Sequence, residues 1–151
     1  MHMTWDGLPV ARERPFGCAI VVWRQGIESR EFLLLHRLVP GGPDFEGEWA
    51  WTPPSGARQP GEAPDAAATR ELQEEIGLAL PLTPLRSASA PADVALYVAQ
   101  APPNANIVLD DEHDRFAWLP LEEALPKCLP PVVASGLANA TARLEARCSA
   151  N

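Results

Sequence analysis

Residues 56–78 read GARQPGEAPDAAATRELQEEIGL, and the rest of the chain is best read outward from them. Ser55 to Glu62 holds two glycines and a proline and is expected to be a structured loop. Pro64–Ile76 is expected to be a helix. Pro64 suits the first helical position, Asp65 sits at the positive end of the helix dipole, and Gly77 suits the residue just past the last turn. The expected N-cap, Ala63, has no side-chain oxygen with which to cap. At about 100° per residue, Glu71, Glu74 and Glu75 share an arc of about 100° on that helix. Like charges so spaced destabilise an isolated helix, so a compensating cation is expected. Arg70 is one candidate, near Glu74 on the helical wheel and within reach of Glu62 in the loop. A divalent metal is the stronger one, because carboxylate oxygens are hard ligands suited to Mg²⁺ or Mn²⁺. Taken alone, an ELQEE string usually reads as a solvated acidic face.

On the N-terminal side, residues 1–14 form a polar entry segment, Phe16–Trp23 (FGCAIVVW) is a β-rich apolar run, and Glu31–Arg37 (EFLLLHR) is a second, so a hairpin is expected. Val39–Gly47 is loop, and Trp49–Thr52 is a short strand stopped by Pro53-Pro54. On the C-terminal side, Asp93–Ala99 and Phe116–Leu119 read as strands, and Leu121–Leu125 and Val132–Arg147 as helices. This order points to an α/β fold, a sandwich with a mixed sheet. Leu72 and Ile76 flank the acidic face and are expected to pack on that sheet, and Ala67 and Ala68 let the helix approach closely.

The 151 residues fit one domain, 1–151, large enough to bury a core. The 17 prolines fall between apolar segments and stiffen loops. A net charge of −8 repels duplex nucleic acid on average, yet admits a small phosphorylated substrate whose charge is neutralised locally. Cys18, Cys128 and Cys148 make no even disulfide set, and Cys18, inside an apolar run, is expected to be buried. No signal-peptide core and no run of about 20 apolar residues occurs, so a cytoplasmic protein without membrane contact is expected.

The 56–78 stretch resembles the Nudix box, G-x5-E-x7-R-E-U-x-E-E-x-G-U with U aliphatic, at every defined position: Gly56, Glu62, Arg70, Glu71, Leu72, Glu74, Glu75, Gly77 and Leu78. Seven fixed residues with two aliphatics coincide by chance less than about once in 10⁸ starting points. The resemblance implies a Nudix-type α/β/α sandwich and a pyrophosphohydrolase that cuts a phosphoanhydride bond in a nucleoside-diphosphate-linked substrate with Mg²⁺, or Mn²⁺ in its place. Shorter patches, EFLLL at 31–35, Trp51-Thr52-Pro53-Pro54, Glu112-His113, Trp118-Leu119 and Leu121-Glu122-Glu123-Ala124, are similar to the asymmetric bis(5'-nucleosyl)-tetraphosphatase branch. That branch reads W-T-P-P-K-G-H where this chain has Ser55 and Ala57, and Tyr97 is the only tyrosine. A basic phosphate contact and an aromatic sandwich for adenine are therefore not evident.

The resemblance also implies roles. Glu71, Glu74 and Glu75 bind metal with the carbonyl of Gly56, and Glu112 completes the site from the loop before Trp118. Glu71 accepts the proton of the attacking water, with Glu75 next in line. Arg70 and Glu62 form an ion pair that fixes the loop. Arg37 meets a phosphate or merely faces solvent, Trp51 stacks on a base or packs in the core, and His113 serves the site or lies on the surface. His36 is expected on the strand surface, and Trp5, Trp23 and Trp49 take no role. Two other substrate classes compete with a dinucleoside polyphosphate: nucleoside triphosphates and nucleotide sugars. Two other kinds of protein compete with a hydrolase on this fold: a non-catalytic nucleotide sensor, against which the intact carboxylates argue, and an isomerase, for which no cysteine-centred site appears near the box.

Overall fold

The computed structural model describes residues 3–4, 7–85 and 93–149, so Trp5 lies outside the described residues. Along them run β1 (Gly17–Gln25), β2 (Arg30–Arg37), β3 (Trp51–Thr52), β4 (Ser55–Ala57), α1 (Pro64–Ile76), β5 (Thr83–Leu85), β6 (Val94–Gln100), β7 (His113–Leu119), α2 (Leu121–Ala124) and α3 (Pro131–Ser149). A 3₁₀ turn at Leu125–Lys127 follows α2. The strands form one sheet in the order β3-β2-β1-β6-β5, with β4 joined to β1 and β7 to β2. β1 and β2 make the expected hairpin, Trp23 facing Phe32. β1 and β6 are parallel from Gly17↔Val94 to Trp23↔Gln100. Parallel neighbours need a long connection, and α1 lies within it.

Each face of this mixed sheet carries its own core. Cys18, Ile20 and Val22 of β1 turn to α1, where Ala67, Ala68, Leu72 and Ile76 meet them, and Val21 turns the other way, toward Leu137, Ala140 and Leu144 of α3. The sheet is thus the middle layer of an α/β/α sandwich. Burial on both faces explains why FGCAIVVW and EFLLL are continuous apolar runs rather than alternating ones. α1 has the expected bounds. Its N-cap Ala63 makes no side-chain cap bond, and it ends on Gly77 in the left-handed region at φ 72°.

Several local expectations are corrected. Ser55–Ala57 is a strand, not loop: Cys18 pairs with Gly56, so the strand is defined by its partner and not by any apolar run of its own. β5 was not expected; its middle residue is Pro84, tolerated because this edge strand pairs only with β6. β7 starts at His113 instead of Phe116, because its polar first residues pair with the end of β2. His36 is not on the surface but fully buried, with Nδ1 2.6 Å from Asp114 Oδ1, Nε2 2.7 Å from the Phe45 carbonyl, and its ring 5.1 Å from that of Trp51. Burial is tolerable because both ring nitrogens have partners. The entry segment is not uniformly polar and solvated: Val10 and Ala11 are buried, and Met3 bridges Pro9.

Candidate active site

α1 delivers its three glutamates to different depths. Glu75 is 3% exposed, and its Oε2 accepts a 2.8 Å hydrogen bond from the Ser55 N–H of β4. The Glu71 side chain is 12% exposed and that of Glu74 56%. Gly56 packs so closely on Glu71 that a Cβ there would collide with its carboxylate, so a side chain at this position would push the Glu71 carboxylate aside.

Arg70 ties the loop to the helix as expected. Its Nε and Nη2 donate to the two oxygens of Glu62 at 2.8 and 2.9 Å, Nη1 donates to Glu71 at 3.0 Å and Glu74 at 3.2 Å, and Nη2 also donates to the Ala57 carbonyl at 3.1 Å. The fork geometry of a guanidinium is what allows one side chain to serve all four. The Arg70 hydrogen bonds hold the Glu62 carboxyl below its usual pKa. Glu71 and Glu75 shift the other way. Burial, chiefly, pushes Glu71 up to about 7, opposed by Arg70 and reinforced by Glu74. Burial and then the charge of Glu71 raise Glu75 well above the usual range.

Across the cavity stands the turn before β7. The backbone carbonyl of Glu112 accepts from the N–H groups of Leu38 at 2.8 Å and Val39 at 3.2 Å, which locks the turn to the end of β2. His113, 5% exposed, is 2.7 Å from Asp110 Oδ1 through Nδ1. Glu75, Asp110 and His113 bring ligand atoms within 4.8 Å of one another. The cavity holds about 560 Å³ and is lined by Glu71, Glu74, Glu75, Asp110 and Glu112, with Arg37 and Arg70 as its cations. Arg37, at the end of β2, has a buried Nε without a partner among the described residues. Trp51 is not in this lining. It is buried in the α3-side core, with the cations of Arg115 and Lys127 over its ring at 5.4 and 5.0 Å from the centroid.

Sequence reasoning did not single out Asp110, Arg58, or the entry-segment residues Thr4, Leu8 and Pro9 that line the cavity. Asp110 stands beside other acids that the sequence does not rank, and the remaining residues act through contacts that leave no periodic trace. A second, wider cleft of about 1350 Å³ lies between the sheet and α3. It is lined by Trp49, Leu96, Tyr97, Val133 and Asn139 among others, and it shares Ser55 and Gly56 with the acidic cavity. Trp49 is 49% exposed at a positive φ of 69°.

Comparison with known proteins says what class of site this carboxylate-rich helix, braced by one arginine, belongs to: that of a hydrolase acting on pyrophosphate bonds. Residues 14–142 match the NUDIX domain model, and the chain belongs to that family. It is 32% identical over 124 residues to the asymmetrical bis(5'-nucleosyl)-tetraphosphatase of Mus musculus, an alignment that covers 71% of this chain and 80% of the relative. It is 34% identical over 117 residues to an octanoyltransferase of Myxococcus xanthus, across 71% of this chain but only 31% of that protein, so it spans about a third of that relative's length. A crystal structure of a C. elegans Ap4A hydrolase binary complex superposes with a TM-score of 0.69 at 26% identity, over 86% of this chain and 97% of the other. Among the described residues no helix is long and apolar enough to cross a membrane.

Proposed function

We propose that the chain, as a single domain, is a divalent-metal-dependent pyrophosphohydrolase that cleaves a phosphoanhydride bond in a nucleoside-diphosphate-linked substrate. A dinucleoside polyphosphate is the first candidate. The observation that carries this reading is the charge of the cavity: five carboxylates face two arginines, with Glu75 buried among them. A buried carboxylate without a counter-charge is costly, and a hard cation offsets that cost. The donor set fits Mg²⁺ or Mn²⁺: oxygens of Glu71, Glu74 and Glu75, the Gly56 carbonyl, and Glu112 across the cavity. His113 and Asp110 stand behind them. Such an ion supplies positive charge to the phosphate oxygens and makes the attacking water more acidic.

The chain's own residues do the rest. Glu71 accepts the water's proton; its half-sheltered position in the cavity, close against Gly56, suits that task, with Glu75 the next choice. Arg70, held by Glu62, keeps Glu71 and Glu74 in place. Arg37, a cation of the cavity lining, meets a phosphate oxygen, supplying the basic contact that Ser55 does not. The second cleft, which shares Ser55 and Gly56 with the first, takes a nucleoside against Trp49. The tetraphosphatase relatives favour the dinucleotide over a nucleoside triphosphate or nucleotide sugar.

Anion-exchange analysis of products tests this. The protein is incubated with Mg²⁺ and diadenosine tetraphosphate, nucleoside triphosphates, a nucleotide sugar or ADP-ribose, beside a Glu71→Gln control. ATP plus AMP from the dinucleotide, with turnover reduced about 10²–10⁴-fold in the control, is expected. Turnover of another compound alone discards the dinucleotide, and equal turnover in the control discards Glu71 as base.

A further inference from the structure

Arg58 has no role in the chemistry described above, yet it is only 5% exposed. A buried guanidinium must have its donors met, and this one meets them with three backbone carbonyls from two stretches of the chain. Nε donates to the Pro15 carbonyl at 2.8 Å, Nη2 to the Glu13 carbonyl at 2.6 Å, and Nη1 to the Glu62 carbonyl at 2.7 Å. The Glu13 carboxylate is 3.5 Å away. The Arg58 backbone continues the pattern: its N–H donates to the Phe16 carbonyl at 2.9 Å, and its carbonyl accepts from the Ala11 N–H at 2.8 Å.

Two parts of the cavity meet at this residue. One is the loop between β4 and α1, where holding the Glu62 backbone fixes the carboxylate that grips Arg70 on both oxygens. The other is the entry segment. Its Glu13, and Pro15 just beyond it, are bound directly, its buried Ala11 is bound through the backbone, and its Thr4, Leu8 and Pro9 line the cavity beside the glutamates. Residues 3–11 lie outside the 14–142 span of the family match, and the Arg58 carbonyl ties Ala11 among them to the strand end beside the site.

We infer that Arg58 is a positioning residue: one buried guanidinium holds both the metal loop and the entry-segment wall of the cavity, so metal occupancy and the order of residues 8–16 are coupled. The inference rests on the metal-dependent reading above. If the two are coupled, the coupling is reciprocal, so metal binding must tighten the wall.

The test needs no turnover. Hydrogen exchange of the native protein is measured with and without Mn²⁺, and Mn²⁺ affinity is measured by calorimetry for the native protein, Arg58→Gln and Arg58→Met. Mn²⁺ is expected to slow exchange of the Ala11 amide by about threefold or more, and both variants to bind Mn²⁺ at least about threefold more weakly. Exchange at Ala11 indifferent to Mn²⁺ in the native protein overturns the inference whether or not the variants fold. So does a folded variant with native affinity. A native protein that binds no Mn²⁺ instead overturns the metal-dependent reading, so the two failures are told apart.

Discussion

At the scale of the residue, Glu71 and Glu75 set the pH behaviour of the molecule. Unfolded, a glutamate ionises near 4.5; folded and metal-free, Glu71 keeps its proton up to about 7. The fold therefore binds more protons than the unfolded chain across that window. The Glu71 contribution to metal-free stability is fully present below about 4.5 and is lost as pH rises through about 7, and Glu75, raised by burial and by the charge of Glu71, acts in the same direction. A bound cation needs the ionised carboxylates, so its stabilising effect runs the other way. Thermal unfolding in chelator and in Mg²⁺, from about pH 5 to about pH 8, is expected to give midpoints that separate as pH rises. A gap that narrows with pH contradicts the metal assignment.

Glu75→Gln sharpens the point. The amide oxygen can still accept from the Ser55 N–H, while the cost of folding a carboxyl that must take up a proton to be buried among acids at neutral pH is gone. The metal-free protein is expected to gain about 1 kcal/mol, roughly 3 °C in midpoint, and to lose most of its response to Mg²⁺ and its turnover. Calorimetry with and without Mg²⁺ checks both halves, and a destabilised variant contradicts the view that this carboxylate is held at a cost.

At the scale of the element, the working unit is β4, the loop after it, and α1. The helix presents carboxylates on one side and Ala67, Ala68, Leu72 and Ile76 to the sheet on another, so its seating on β1 and its aim at the cavity are one placement. Gly56 is the contact point. Gly56→Ala puts a methyl group against the Glu71 carboxylate and must displace it. The expected result is a fall in kcat/KM of about 10²-fold with unchanged far-ultraviolet circular dichroism. Native turnover in this variant would show that Glu71 can move without consequence.

At the scale of the whole molecule, legibility in the sequence follows how each part is held. α1 has the bounds its punctuation announces, Pro64 at one end and Gly77 at the other, and β1 and β2 announce themselves by unbroken apolar runs. The Glu71–Glu74–Glu75 group and its brace to Glu62 follow from helical spacing and reach. β4 and β5 do not show, since three residues each become strands only because β1 or β6 lies alongside. His36 and Arg58 mislead or stay silent for a related reason: a polar side chain can be buried once distant carbonyls and a carboxylate meet it, and those partners are not neighbours in sequence. The turn before β7 is visible as a row of acids, but only its attachment to Leu38 and Val39 shows which way it faces.

The parallel seam between β1 and β6 also bears on how the molecule comes to be. Gly17 must find Val94, and the hairpin, the Nudix box and α1 all lie in between. Local pieces form early, because they need little chain to be gathered, whereas a pairing this remote carries the loop-closure cost of everything it encloses. The two cores share β1, so neither is complete until that seam closes. On refolding from denaturant, helical signal is therefore expected to return before Mn²⁺ binding, by about tenfold or more in time, as read by stopped-flow circular dichroism beside a metal-binding probe. Simultaneous recovery would mean that the box assembles its site without the sheet beneath it. In the expected order, the protein acquires its chemistry only at the last step of becoming itself.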